Sequence, residues 1–266
     1  MLNQIMKKSI LIIGFGDLAE RLERHLIRKD YYVCGLTRSP NKYKGSNLIQ
    51  WDWTLNKEFI LEEDTFDSII FFPTPSEFNE EGYRSGFIES LDLIIRSIQH
   101  IKFKSFIGIS STSVYGDNQT GMLTEEIEPK PSNFRGSVIL EYEKLLHSNF
   151  QERSLILRLS GLYEGAPRWM EESIKNTNPK KIKLRSSYVN RLHRDECIQI
   201  IDFALEKGLS LENDLINCSA EFIKYEDLFK DKFPDYNFND YFICPDTQAK
   251  EISSQKIRKL GFKFKS

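Results

Sequence analysis

From Ile10 to Ile13 the chain is continuously apolar, and after Gly14-Phe15-Gly16 the period lengthens so that Leu18, Leu22 and Leu26 recur every fourth residue. A short unbroken apolar run suits a strand buried on both faces, and the fourfold recurrence suits a helix packed on one side. The segment therefore predicts strand, glycine turn, helix. Residues 32–36 supply a second strand at the distance a βαβ unit needs. Residues 48–51 and 68–72 read as two more strands, separated by a polar, helix-like stretch over 55–64. Phe72-Pro73-Thr74-Pro75 closes the fourth strand with two prolines, so no helix starts there and the loop faces the carboxyl edge of the sheet. Phe87, Leu91, Ile94, Ile98 and Ile101 mark a long amphipathic helix, residues 105–110 a fifth strand and residues 155–159 a sixth. Strand and helix in alternation predict an α/β protein, a Rossmann-type doubly wound parallel sheet over residues 1–160.

After Leu159 the alternation weakens. Ile198, Ile201, Phe203 and Leu205 predict a helix with Asp195 as its N-cap, residues 215–218 a last strand, 225–233 a short helix, and 253–260 a terminal helix stopped by Gly261. No glycine-serine linker separates this half from the first.

The glycine turn is the strongest chemical signal. Gly14 and Gly16 lack a Cβ, so a pyrophosphate can approach the main chain of Gly14, Phe15, Gly16, Asp17 and Leu18 at the positive end of the following helix. Ala19 at the third position allows close helix-to-strand packing. Pro73 faces the same edge. Where the second strand ends, an acid would hold the ribose hydroxyls of NAD, but the chain has Thr37 and Arg38, with Lys42 and Lys44 nearby. A hydroxyl and an arginine suit the 2′-phosphate of NADP, so NADP is expected over NAD. At the end of the fifth strand Ser110-Ser111-Thr112-Ser113 sets hydroxyls where they can bond a substrate oxygen, or else satisfy their own turn.

Composition narrows the partners. With 37 Lys and Arg against 39 Asp and Glu there is no overall basic field, so nucleic acid is not expected. No apolar run is long enough for a membrane span or a signal segment, which points to a soluble, cytoplasmic protein. Cys34, Cys197, Cys218 and Cys244 are far apart, as are His25, His100, His147 and His193, so no metal site is expected and the cysteines should be reduced and buried.

Taken together, GFGDLA, SSTSVYGD, LEYEKLL, LRLSGLYEG and NRLHRDE make a chain that resembles, over almost its whole length, the extended short-chain dehydrogenase/reductases. The nearest branch is the NAD-dependent epimerase/dehydratase (nucleotide-sugar epimerase) family, with its short atypical members. The resemblance implies a small substrate lobe across the sheet, formed mainly by residues 161–266 with segments returning to it. It also implies a nucleotide-sugar or other hydroxyl- or carbonyl-bearing substrate, and a homodimer paired through the helices near residues 83–101 and 135–150. It places the substrate-orienting hydroxyl at Ser111, with Thr112 beside it.

The family's tyrosine, the proton carrier, and its lysine four residues later have no counterpart. Their positions hold Arg135 and Ile139, and Tyr142 is followed at the lysine spacing by Leu146. A guanidinium stays protonated, so Arg135 can polarise a carbonyl or bind an anion but cannot shuttle a proton. Tyr115, Tyr163 and His193 are the other candidates, each with a structural alternative, and His193 is preferred because an imidazole titrates near neutrality. Lys180, Lys181, Lys183 and Arg185 could face substrate phosphates. The family's phosphate-contacting arginine is replaced by Val189, with Arg191 and Arg194 out of register. Two activities are consistent with this: an NADP-dependent oxidoreductase or isomerase, or a catalytically idle relative that senses NADP(H) and acts through a protein partner.

Overall fold

The computed structural model describes residues 7–176, 181–208, 215–246 and 248–265. Among them the central layer is a parallel sheet of seven strands: β1 (Ser9–Ile13), β2 (Tyr32–Thr37), β3 (Leu48–Gln50), β4 (Thr65–Phe71), β5 (Lys102–Ser111), β7 (Ser154–Leu159) and β11 (Leu215–Cys218). Their spatial order is β11-β7-β5-β4-β1-β2-β3, so the winding reverses between β1 and β4. That reversal opens a crevice at the carboxyl ends of the strands, the Rossmann arrangement. β6 (Gly121–Leu123) lies outside the sheet and pairs with β14 (Lys250–Ile252) near the end of the chain.

Alternation along each strand sends neighbouring residues to opposite faces. Leu11 and Ile13 join one core with helices α2 (Glu80–Arg84), α3 (Ser90–Ser97) and α4 (Phe134–Phe150). Ile10 and Ile12 join the other with α1 (Asp17–Ile27), α6 (Arg194–Lys207) and α9 (Gln255–Lys259). A third, smaller core of Met170, Leu228, Phe229, Phe238 and Phe242 gathers α5 (Arg168–Lys175), α7 (Tyr225–Lys232) and α8 (Phe238–Tyr241) into a separate lobe. The lobe's sheet runs β12-β10-β8, from β8 (Gly161–Tyr163), β10 (Tyr188–His193) and β12 (Glu221–Lys224); beside it β9 (Ile182–Lys183) pairs with β13 (Phe242–Ile243).

Four expectations need correction. Residues 56–64 form no helix: only Trp53–Leu55 makes a single 3-10 turn, closed by Asn56 in the left-handed region. Trp51, Trp53, Phe59 and Leu61 are buried at even spacings while Ile60 is 87% exposed, an extended-chain pattern that a helix could not satisfy. The long helix stops at Ser97, leaving Ile101 beyond its end, and Ser85–Glu89 within it is a π turn. The N-cap of α6 is His193, whose Nδ1 accepts from the Asp195 N–H at 3.2 Å, because β10 runs into the helix with no intervening loop; Asp195 lies in the first turn. Cys34, Cys197 and Cys218 are buried, but Cys244 is exposed just beyond β13.

Beneath the crevice a charged pair is sealed in the core. The Arg158 guanidinium on β7 donates to both carboxylate oxygens of Glu143 on α4, at 2.9 and 2.7 Å, and to the Tyr115 hydroxyl at 2.8 Å. Ser110 donates to Glu143 at 2.5 Å, and Tyr115 donates to the carbonyl of Thr124. With side-chain exposures of 3% and 5%, either charge left alone would be stranded in a medium that cannot solvate it. Glu143→Gln or Arg158→Met should each cost roughly 3–5 kcal/mol in urea unfolding, and the double change to methionine should recover much of the loss. Single variants as stable as the native chain would show that the pair contributes nothing.

Candidate functional site

The crevice is a cavity of about 480 Å³ lined from the ends of four central strands. Gly14, Gly16, Asp17 and Leu18 follow β1, Phe72, Pro73 and Thr74 follow β4, Ser110 and Ser111 end β5, and Leu159 and Ser160 end β7. Gly14 has φ of +82°, and a Cβ there would stand 2.2 Å from the carbonyl oxygen of Phe72. Only glycine fits, on both conformational and steric grounds. The N–H groups of Gly14 and Phe15 both donate to the Leu36 carbonyl, at 3.1 and 2.8 Å, which pins the turn between β1 and β2. The free donors therefore begin at the first turn of α1, where the N–H groups have no intrahelical partner and the helix end is positive. A Cβ on Gly16 would meet only the Tyr43 hydroxyl at 4.0 Å, so its bareness leaves room rather than relieving a clash.

The rest of the wall carries hydroxyls and little else that is polar. Ser110 is committed to Glu143. Ser111 accepts from the Ser113 N–H at 3.2 Å, capping the turn Thr112–Val114 and leaving its own O–H to donate. Ser160 is buried and its hydroxyl has no partner among the described residues, so it is an unspent donor and acceptor. Sequence reasoning passed over Ser160 because a single serine after a strand carries no pattern.

Several anticipated residues lie elsewhere. Phe15 turns its ring into the core beside Gly35 and has spent its N–H on Leu36, so it gives the cavity neither. Thr37 ends β2 and Arg38 follows it, both outside the cavity lining; Thr37 is buried, and the exposed Arg38 guanidinium lies 4.5 Å from the centre of the Trp53 ring. Arg135 is exposed on α4 against the rings of Tyr83 and Phe134, while Ile139 is packed in the core. Thr112 does not line the cavity either. His193 is engaged as the cap of α6 and meets Tyr163 edge-on at 5.2 Å.

Burial pushes the Tyr115 phenol above its ordinary range, and Tyr142, wholly enclosed with no partner for its hydroxyl among the described residues, is raised well above it. Neither phenol gives up a proton near neutrality. Lys181, Lys183 and Arg185 are exposed and line neither cavity; Lys180 lies outside the described residues.

A second cavity of about 500 Å³ adjoins the first, with Leu162 and Arg194 lining both. Its wall comes from the lobe: Tyr163 to Trp169 after β8, Val189 and Arg191 on β10, Tyr225 and Leu228 on α7. Arg191 is buried, with its guanidinium 3.6 Å from the Tyr163 ring centroid and one nitrogen 3.1 Å from Glu221. Its Nε and Nη1 have no partner among the described residues. Burial, then the hydrogen bond to Glu221, raises the Tyr163 phenol. No group of three or more metal-ligating side chains occurs among the described residues, and no helix there is long and apolar enough to cross a membrane.

Among solved structures, a short-chain dehydrogenase/reductase superfamily protein from Agrobacterium tumefaciens with bound NAD matches with a TM-score of 0.77 at 15% identity, over 97% of this chain and 93% of that one. The chain has the fold of the extended short-chain dehydrogenase/reductases. UDP-glucuronic acid 4-epimerase from Bacillus cereus in complex with NAD shares that fold with a TM-score of 0.74 at 20% identity, over 94% and 91% of the two chains. dTDP-glucose 4,6-dehydratase from Bacillus anthracis in complex with NAD matches at 0.69 and 16%, over 97% and 92%. No family model and no curated protein matches the sequence.

Within this dehydrogenase/reductase fold the two glycines of the turn should behave differently. Gly14→Ala forces a Cβ onto a carbonyl oxygen and should lower the thermal midpoint by several degrees. Gly16→Ala, at φ −120° and with space around it, should keep the midpoint. Thermal melts of the two variants check this; equal midpoints would sink it.

Proposed function

We propose that the protein binds NADP(H) in the first cavity and a hydroxyl- or carbonyl-bearing substrate, of the nucleotide-sugar kind, in the second, and works as an oxidoreductase or isomerase without a tyrosine–lysine pair. The observation that carries this is the cradle at the switch point: a turn open to main-chain donors only because Gly14 has no Cβ to meet Phe72. The residues fit a dinucleotide. The main chain from Gly16 to Leu18 would hold the diphosphate, with Pro73 and Thr74 forming the opposite wall. When bound, the nicotinamide supplies hydride acceptance or donation. The Ser111 hydroxyl, whose oxygen is fixed by the Ser113 N–H, donates to a substrate oxygen and holds it in place. The absence of an acid at the end of β2, with Thr37 and Arg38 in its place, supports NADP over NAD. The contact of the Arg38 guanidinium with the Trp53 ring, which restrains that side chain just beyond β2, supports the same reading.

A second reading, a catalytically idle NADP(H) sensor acting through a protein partner, draws on the lining of the first cavity. Among the described residues that lining has no tyrosine, lysine or histidine. The two readings part on hydride. Native protein should bind NADPH more tightly than NADH, and Arg38→Ala should narrow the gap by about tenfold, the worth of one charge-assisted contact; equal affinities in a tryptophan-fluorescence titration reject the NADP assignment. Incubated with deuterated NADPH and a panel of nucleotide sugars and carbonyl compounds, the enzyme should move label into product. Binding without transfer across the panel decides for the sensor.

A further inference from the structure

Only two charged side chains line the first cavity among the described residues, Asp17 and Arg194. They are paired with each other, Arg194 Nη1 donating to Asp17 Oδ2 at 2.5 Å. Asp17 is the first residue of α1, beside the main-chain donors that would receive a diphosphate. Its charge suits an empty helix end and opposes an arriving anion. Arg194 is the first residue of α6, a helix fastened along α1 through Asp202, which takes His25 at 2.8 Å and Lys29 at 2.6 Å. That packing holds the arginine over the glycine turn. Its Nε is buried and has no partner among the described residues, so the guanidinium has bonding capacity left.

Asp17 has a second cation. Arg21, one turn along α1 and outside the lining of the first cavity, lies 3.4 Å from Asp17, 2.7 Å from Glu164 and 3.6 Å from Asp195. If Arg194 leaves Asp17, the carboxylate keeps a partner.

We propose that Arg194 is the cation of the diphosphate site, held by Asp17 when the cavity is open and transferred to the diphosphate of a bound dinucleotide, with Asp17 then resting on Arg21. The ligand class is any diphosphate-bridged nucleotide, and the assignment rests on the dinucleotide reading above. A doubly charged diphosphate set against a helix end and a lone carboxylate would be repelled; with Arg194 turned onto it, the same place is attractive. Because Arg194 also lines the second cavity, its movement changes the wall of both at once.

The two partners should shift affinity in opposite directions. Isothermal titration of the full chain with ADP-ribose, which carries the diphosphate but no nicotinamide, should show Arg194→Gln weakened by about tenfold and Arg194→Lys by less. Asp17→Asn should bind severalfold more tightly than native protein. Arg24→Gln, which removes the same charge from α1 away from the cavity, should stay within about twofold of native. The affinity of Arg194→Gln should also fall less steeply with added salt.

If Arg194 acts only by neutralising Asp17, Arg194→Gln has no effect in the Asp17→Asn background, whereas a cation that touches the diphosphate keeps its loss there. A double variant Asp17→Asn/Arg194→Gln that binds as tightly as Asp17→Asn, or Arg194→Gln that matches Arg24→Gln, overturns the assignment while leaving dinucleotide binding intact. Should Arg194→Gln fail to fold, Arg194→Lys in the Asp17→Asn background gives the same comparison with a smaller loss. Native protein that binds neither ADP-ribose nor NADPH removes the dinucleotide reading, and this one with it.

Discussion

The backbone of Gly14 passes so close to the carbonyl of Phe72 that the turn after β1 and the end of β4 are in effect one surface. Three hydrogen bonds fix it there. Gly14 and Phe15 donate to Leu36 on β2, and Phe72 donates to Ile13 on β1. The turn can move toward neither neighbour, so the direction in which α1 departs is set, and Ala19 is small enough to let that helix lie flush on the sheet. A side chain at position 14 would push β1 and β4 apart at the place where the winding reverses, and the crevice would lose its floor. The candidate site is a consequence of strand spacing before it is a matter of any functional side chain.

The same economy governs the floor beneath β5 and β7. Glu143 and Arg158 hold one another in a dry interior and recruit Ser110 and Tyr115 to complete their hydrogen bonds. Two of the hydroxyls that looked available for substrate are thereby consumed by structure. What remains at the surface of the cavity is Ser111, whose oxygen is already oriented by its own turn, and Ser160, which has no partner among the described residues.

The sheet and its glycine turn were legible because each rests on a local period: unbroken apolar runs for strands buried on both faces, fourfold spacing for α1, and a glycine pair between them. Residues 55–64 misled for the opposite reason. Their polarity imitates an exposed helix, but the burial of Trp51, Trp53, Phe59 and Leu61 is set by the core beneath α3, which no local window contains. Asp195 looked like a cap by residue type, yet capping is decided by where the chain turns, and it turns at His193. Arg194 was set aside because it is out of register with the family's arginine. Its place in the cavity comes from α6 lying along α1, a contact between residues 177 apart in sequence.

The helix α4 makes the chemical problem specific. Ile139, Tyr142 and Leu146 form its sheet-facing stripe and are buried, whereas Arg135, one turn before Ile139, is exposed and lies against Tyr83 and Phe134. Position 139, where the family resemblance sets a lysine, is thus an apolar packing site, and Tyr142 is sealed beneath Gly108 with no partner for its hydroxyl among the described residues. A phenol there cannot shed its proton, because burial and the neighbouring Glu143 both oppose the anion. Hydride exchange in this cavity would therefore have to draw its proton from a hydroxyl, from water or from the substrate itself. Dinucleotide binding has no such requirement, since it needs only the bare turn, the helix end and a cation to balance the diphosphate. The two requirements thus fall on different parts of the fold: a bare turn depends on backbone that admits no substitute at Gly14, whereas the side chains of α4 that could have carried a proton are given over to packing.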